Sequence, residues 1–334
     1  MNLKEVARRA SVSTATVSRV LNGVDVVKNS TRTRVMKAIS ELKYHPNLHA
    51  RSLAGGPGRT LGVIVSNLEN PFFLDVYRAL ERDCHAHGYE VLLANTDYRP
   101  EQLVASVRLM IGRRVSGLAV IVSEMEKALV QELTDSNIPL AFYDVGPAKR
   151  NITNIRVNYH KGIERIVEYL FTLGHERLAF VGHHARLGPI DERRRALFDA
   201  VRRLRPATDV RVVASDDSLE GGSRATRELL LSSMPTAIIC VNDLMAVGVL
   251  KELREHGLQV PEDVSVTGFD NIKLSQFCFP ALTTVHIPRE HIGHLLYSTL
   301  TSDTKTPASA GTEIVIDPEF LVRESTGPAR GIRE

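Results

Sequence analysis

Cysteine is scarce in this chain: Cys84, Cys240 and Cys278 are widely separated among 334 residues. No C-x-x-C occurs, which argues against a zinc ribbon or a disulfide framework. No run of about 18 apolar residues exists, so no segment is long enough to span a membrane. The opening Met1-Asn2-Leu3-Lys4-Glu5 has no apolar signal core. The expectation is a protein of the reducing cytoplasm. Enzyme signatures are missing as well. There is no G-x-x-x-x-G-K-[ST], no G-x-G-x-x-G after a strand, no G-x-S-x-G and no H-E-x-x-H. His183-His184 and His291-x-x-His294 lack a third ligand at a telling spacing. Neither a metal nor a cofactor is expected. A site built from converging acids and bases is not excluded by these absences.

What is present is a chain of ordinary globular composition, with 43% hydrophobic and 24% charged residues, which rules out wholesale disorder. Its length suits two or three domains. The net charge of +3 conceals an asymmetry. Residues 1–60 hold eleven Lys/Arg against three acids, so the head carries +8 and the remainder −5. A compact basic head on a mildly acidic body suits a polyanionic partner.

Apolar spacing predicts three short helices in that head: Leu3–Ala10, Thr14–Asn22 and Thr31–Leu42. Ser11-Val12-Ser13 separates the first two by three residues, as in a helix-turn-helix. Pro46 interrupts, and a brief helix at Asn47–Leu53 follows, with Asn47 at its N-cap. Gly55-Gly56-Pro57-Gly58 reads as a linker. From Leu61 onward, short apolar runs alternate with amphipathic helices. The runs are Leu61–Val65, Val91–Ala94, Leu118–Val122, Leu140–Tyr143, Leu178–Val181, Val210–Ala214, Ala237–Val241 and Val264–Thr267. Strands apolar on both faces and separated by helices imply parallel sheets covered on two sides. Eight of them fit one barrel or two doubly wound sheets. Asn154–Val157 breaks the rhythm and reads as a junction between two lobes. Near the end come a strand at Thr283–His286, a helix from about Pro288 to Thr301, and a final stretch Glu313–Val322.

The stretch Leu3-Lys4-Glu5-Val6-Ala7 followed by Ala10-Ser11-Val12-Ser13-Thr14-Ala15-Thr16-Val17-Ser18-Arg19-Val20-Leu21-Asn22 resembles the head of the LacI/GalR (lactose repressor) family. Pro46-Asn47 with Ala50-Arg51-Ser52-Leu53 resembles that family's hinge helix. Leu61–Val65, Asn70-Pro71-Phe72-Phe73, Asn242-Asp243, Gly268-Phe269-Asp270, Pro280–Val285 and Leu321–Thr326 continue the likeness over about residues 2–327. The resemblance implies an all-α helix-turn-helix head (1–45), a hinge and linker (46–58), an α/β core (59–327) and a tail (328–334). The core would be two doubly wound parallel-sheet lobes of periplasmic-binding-protein type. Lobe 1 would take about 59–158 and 288–318, and lobe 2 about 159–287 and 319–327. It also implies a dimeric or tetrameric transcriptional regulator, read here as a homodimeric repressor of the cytoplasm and nucleoid, with activation left open by the unknown operator position. Such a repressor binds a pseudo-palindromic double-stranded DNA operator and a small-molecule effector. The tail has no leucine heptad to support a tetramer.

In that frame the Thr14–Asn22 helix lies in the major groove, with Thr14, Ala15 and Arg19 toward base edges. Arg19 has the planar fork that matches O6 and N7 of guanine, and Ala15 offers a methyl contact. Thr16, Ser18, Asn22, Asn29 and Thr31 suit phosphates. At the hinge, Asn47, Ala50 and Arg51 would meet DNA and Leu53 would wedge a base step in the minor groove. His49 departs from the small or aliphatic residue of relatives. The effector pocket would use Phe72, Phe73 and Asp144 from one lobe, and Arg193, Asp217, Asn242 and Asp270 from the other. Carboxylates, an amide and a guanidinium beside aromatics suit a sugar or sugar derivative. The register of Arg193 against Arg194 and Arg195 is open by one or two positions. Asp217 stands where many relatives stack an aromatic ring. The rival reading is a sugar-binding or sugar-processing protein without DNA regulation.

Overall fold

The computed structural model describes residues 2–21, 26–44, 59–123, 125, 127–136, 138–145, 152–184, 188–302 and 311–329. The chain divides into two compact units, residues 1–58 and 59–334.

The first unit holds α1 (Leu3–Arg9), α2 (Thr14–Leu21) and α3 (Asn29–Glu41). Asn2 caps α1 in a reciprocal capping box: its side chain accepts from the Glu5 N–H, and the Glu5 carboxylate accepts from the Asn2 N–H. Ser11 takes a left-handed φ of 52° and turns the chain. The Ser13 hydroxyl then accepts from the Thr16 N–H and starts α2. Val6, Ala7, Ala10, Val17, Val20, Val35 and Ala38 form the core of this unit. The Arg9–Glu41 ion pair, at 2.6 Å, ties α1 to the end of α3.

The second unit runs β1 (Thr60–Val65), α4 (Pro71–Ala86), β2 (Glu90–Asn95), α5 (Pro100–Gly112), β3 (Gly117–Ile121), α6 (Lys127–Asp135), β4 (Leu140–Tyr143) and β5 (Ile152–Val157). It continues with α7 (Tyr159–Thr172), β6 (Arg177–His183), α8 (Gly188–Leu204), β7 (Asp209–Ser215), α9 (Leu219–Leu230), β8 (Ala237–Cys240), α10 (Asp243–Glu255) and β9 (Ser265–Thr267). Then come β10 (Thr284–His286), α11 (Arg289–Thr301), β11 (Thr312–Ile316) and β12 (Glu319–Leu321).

The first lobe is a six-stranded sheet in the order β11-β5-β4-β3-β1-β2, parallel throughout. The second is a four-stranded parallel sheet, β7-β6-β8-β9. Both faces of the first sheet are covered, which is why β3 and β4 are apolar at every position. Val76, Leu80 and Cys84 of α4 and Ile292 and Leu296 of α11 cover one face. Leu103, Val107 and Met110 of α5 and Leu129 and Leu133 of α6 cover the other. The parallel sheets are thus two doubly wound layers and not one barrel.

Two local readings are refined. Asn154–Val157 is part of β5, a full strand between β4 and β11 and the last before the chain crosses to the second lobe. Its polar residues do not mark an exposed face: Asn154 is fully buried, and only Thr153 and Arg156 are part-exposed. The crossing to the second lobe follows directly, at Asn158, which caps α7. The stretch Glu313–Val322 is two strands in two sheets, since Asp317-Pro318 interrupts it and proline has no N–H for a ladder. β12 turns back to pair antiparallel with β10.

Candidate functional site: a DNA-reading helix and an interlobe cleft

On α2, Val17 and Val20 face the core while Thr14, Ala15 and Arg19 are exposed. Ala15 and Arg19 sit one turn apart on the outer face, the arrangement a groove-reading helix needs. Thr16 and Ser18 flank them, half-buried. Asn29 is exposed in the first turn of α3, and Thr31, in the same turn, is half-buried. Asn22, Asn47, His49, Ala50, Arg51 and Leu53 lie outside the described residues.

In the core, the carboxyl ends of both parallel sheets meet at one cleft, the usual ligand position in open α/β sheets. Phe72, Phe73, Tyr98, Tyr143, Tyr159 and Ile190 form its apolar walls, and Asn70, Ser123, Arg193, Asp217, Asn242 and Asp270 its polar lining. Local folding places each group. Asn70 caps α4, accepting from the Phe72 N–H at 3.0 Å, and Pro71 follows at the first helical position. That cap swings Phe72 and Phe73 into the cleft from the first helical turn. Asn242 caps α10 in the same way, accepting from the Met245 N–H at 2.9 Å. The spare amide nitrogens of both asparagines point at Asp217, at 3.5 Å from Asn70 and 2.5 Å from Asn242.

Arg193 is buried at the centre. Its guanidinium lies between the Tyr159 and Phe269 rings, 4.5 and 4.6 Å from their centroids. One nitrogen donates to the Val241 carbonyl at 2.8 Å, and another pairs with Asp270 at 3.6 Å. Arg194 and Arg195 instead pair with Asp191 outside the cleft, which fixes the register. Arg193 Nε and Asp270 Oδ1 are buried without a hydrogen-bond partner among the described residues. A buried donor and acceptor left side by side mark where a ligand hydroxyl or amide would bond.

Asp270 sits on a backbone with φ of 108°, a region L-residues avoid. Arg289 holds it there, donating to the carbonyls of Asp270 and Asn271. Burial pushes the Asp270 carboxyl up to about 7, and Asp217 adds to the rise while Arg193 and Arg289 oppose it. Behind it, Asp243 accepts from the Thr284 hydroxyl at 2.5 Å and the Ile272 N–H at 2.8 Å. A Cβ at residue 268 would lie 2.1 Å from that carboxylate, so Gly268 is what lets Asp243 sit there. Burial, then Asp270, pushes Asp243 up to about 8.

This gives a pH prediction. The raised pKa of Asp243 means the folded state holds its proton more tightly than the unfolded chain, whose carboxyl titrates near 4. Its contribution to stability is therefore complete below about pH 4 and is lost as pH rises towards about 8. Asp243→Asn mimics the protonated form. Urea unfolding at pH 5, 6.5 and 8 should show wild type losing stability more steeply than the variant, and equal slopes would refute the assignment.

Of the sequence-derived effector residues, the structure brings Phe72, Phe73, Arg193, Asp217, Asn242 and Asp270 together. Asp144 is not in the lining. It lies one layer behind, with its carboxylate accepting from the Tyr159 hydroxyl at 2.7 Å and the Val157 N–H at 3.1 Å. Its left-handed φ of 54° turns it away from the cleft, so it orients the Tyr159 ring on which Arg193 stacks. Asn70 and Tyr98 were missed. The Asn-Pro pair before a helical run was a usable N-cap signal, whereas Tyr98 had none. His183 packs on Tyr98, and among the described residues no group of three or more metal-ligating side chains occurs. No described helix is long and apolar enough to cross a membrane.

Residues 2–47 match the family described as bacterial regulatory proteins, lacI family, and residues 167–326 match a periplasmic binding protein-like domain. The HTH-type transcriptional repressor PurR of Erwinia tasmaniensis is 35% identical over 346 aligned positions, covering 99% of each chain. PurR of Vibrio campbellii is 34% identical, covering 97% of this chain and 98% of its own. Among solved structures, the lac repressor dimer bound to operator and the anti-inducer ONPF has a TM-score of 0.86 at 27% identity, covering 98% of this chain and 99% of its own. The ribose-bound LacI family regulator of Enterococcus faecium has a TM-score of 0.74 at 26% identity, covering 81% of this chain and all of its own. With a helix-turn-helix head, a two-lobed core and full-length similarity to known repressors, the chain belongs to the LacI family of bacterial transcriptional regulators.

Proposed function

We propose that this protein is a homodimeric cytoplasmic repressor whose operator affinity is set by a sugar or sugar derivative held between the core lobes. It acts by binding and carries out no reaction. Residues 1–45 form its DNA-reading domain, 46–58 its hinge and linker, and 59–327 its effector core. The observation that carries the effector class is the buried Arg193 Nε and Asp270 Oδ1, neither with a hydrogen-bond partner among the described residues, inside an aromatic-walled cleft with further amide and carboxylate groups. A donor and an acceptor suit hydroxyls, which both donate and accept, and the rings suit the apolar face of a sugar. The ribose-bound relative of the same fold supports the reading.

A thermal-unfolding screen of the full chain against sugars, sugar phosphates, polyols and nucleosides tests it. A ligand at a hundred times its dissociation constant stabilises the folded state by about 2.7 kcal/mol. Hits confined to nucleosides would overturn the sugar class.

The DNA half rests on the exposed outer face of α2. Arg19→Ala should weaken operator binding by about 1–3 kcal/mol and relax base preference at one symmetric pair of positions. Gel-shift titrations on operator and scrambled duplexes read both effects. Equal weakening on every sequence would reassign Arg19 to a phosphate.

A further inference from the structure

Asp217 does more than line the cleft: it makes one of the contacts between the two lobes, beside those of Asp144 with Tyr159 and of Arg156 with Glu192. Tyr98 follows β2 in the first lobe, and its hydroxyl donates to the Asp217 carboxylate, which follows β7 in the second. Asn70, also of the first lobe, approaches the same carboxylate oxygen at 3.5 Å. Asn242, from Asp217's own lobe, donates to the other oxygen at 2.5 Å. The Tyr98 ring also packs on His183 of the second lobe, with centroids 5.3 Å apart. The reach of Tyr98 is built into the backbone. Asp97 and Tyr98 both take left-handed φ, 50° and 57°, and the Asn95 amide holds Asp97 in place. Two consecutive residues in that region are costly, and the contact across the cleft is what they achieve.

Charge sharpens the point. Asp217 is 7% exposed, and among the described residues no cation pairs with it. Arg193 is already taken by Asp270, and Arg224 by Asp216. A buried carboxylate without a cation depends on neutral donors, and a hydrogen bond to a charged acceptor is stronger than one between neutral groups. With the lobes joined in this way, the cavity between them is about 30 Å³, room for a water or two and not for a sugar ring.

We propose that Asp217 and Tyr98 form a latch that closes the lobes on each other without a ligand, and that the effector enters by giving Asp217 a hydrogen-bond donor in place of the Tyr98 hydroxyl. The second half rests on the reading of the cleft as the effector site. The first half does not. Here the lobes close on a carboxylate, which selects ligands by their donors.

The test uses single-molecule energy transfer on the full chain, with dyes at Glu101→Cys and Glu228→Cys and with Cys278→Ser to prevent stray labelling. Both label sites are exposed, one on each lobe. Without added ligand or DNA, wild type should sit mainly in the high-transfer state. Tyr98→Phe and Asp217→Asn should each lower the closed-to-open ratio about tenfold, and the double variant should fall little further than either single one. A mainly open wild type, or unchanged ratios in both variants, overturns the latch. Any sugar or polyol that stabilises wild type in the melting panel is then titrated calorimetrically. Tyr98→Phe should bind it about tenfold more tightly and Asp217→Asn more weakly. Equal affinities overturn the effector half. A panel with no hit at all overturns that half together with the effector reading, while the transfer ratios still decide the latch.

Discussion

Arg193→Ala should abolish effector binding, raising the dissociation constant more than a hundredfold. The guanidinium stacks between the Tyr159 and Phe269 rings, bonds the Val241 carbonyl and pairs with Asp270, so its position is fixed before a ligand arrives. Its Nε is the unpartnered donor of the cleft. Truncating a buried, pre-positioned charge costs about 2–5 kcal/mol of binding, because the partner group is left buried and unpaired as well. The same change should lower folding stability by about 3 kcal/mol, since Asp270 loses its nearest cation. Asp270 then holds its proton even more firmly, as only Arg289 remains to oppose the rise. Arg193→Lys separates the two effects. It keeps the charge, and with it most of the stability, but loses the planar fork and the ring stacking. Calorimetric titration should show the lysine variant folded and binding weakly. A lysine variant with wild-type affinity would mean that the ligand is held elsewhere in the cleft.

The parts of this architecture that were legible in the sequence share a physical signature: a period. Parallel strands buried on both faces appear as apolar runs, so the eight runs from Leu61 to Thr267 fall on strands. The head helices were legible because Val6, Val17, Val20 and Val35 recur at helical spacing, and all four are buried. β5 was legible only as a short strand-like segment, because its apolar run is diluted by Thr153, Asn154 and Arg156, of which Asn154 is fully buried. The site was legible where a motif fixes a side chain relative to a helix start, as with Phe72 and Asn242. It was illegible where the outcome depends on a backbone torsion. Asp144 and Asp270 both follow strands and both have positive φ, yet one bonds Tyr159 behind the lining and the other faces the cleft. Tyr98 meets Asp217 across 119 residues of sequence, and no local pattern encodes that meeting.

Gly248→Ala should be among the most damaging single-methyl changes in the core, because it drives two helix backbones apart. A Cβ at residue 248 of α10 would lie 1.9 Å from the Leu219 carbonyl oxygen of α9 and 3.1 Å from the Ser223 nitrogen. The reciprocal position is equally tight, with a Cβ at Gly222 lying 2.1 Å from the Met245 carbonyl oxygen. These are backbone atoms, which cannot step aside as a flexible side chain can. Overpacking typically costs about 1–3 kcal/mol, and a clash with the backbone of the facing helix places this variant at or above the top of that range. The gain in helix propensity from glycine to alanine, about 1 kcal/mol, does not offset it. Gly112→Ala on α5 supplies the control: nothing lies within 4 Å of its added Cβ, so only the propensity effect remains and stability should hold or rise. Function should follow packing. Asp217 and Asn242 stand at the starts of α9 and α10 and are bonded to each other, so separating those helices stretches the 2.5 Å contact between them. Urea unfolding should place Gly248→Ala about 3 kcal/mol below wild type, with effector binding weakened even where the variant remains folded. A variant as stable as wild type would show that the α9–α10 crossing can open without cost, and the geometry of Asp217 would then not be set by that crossing.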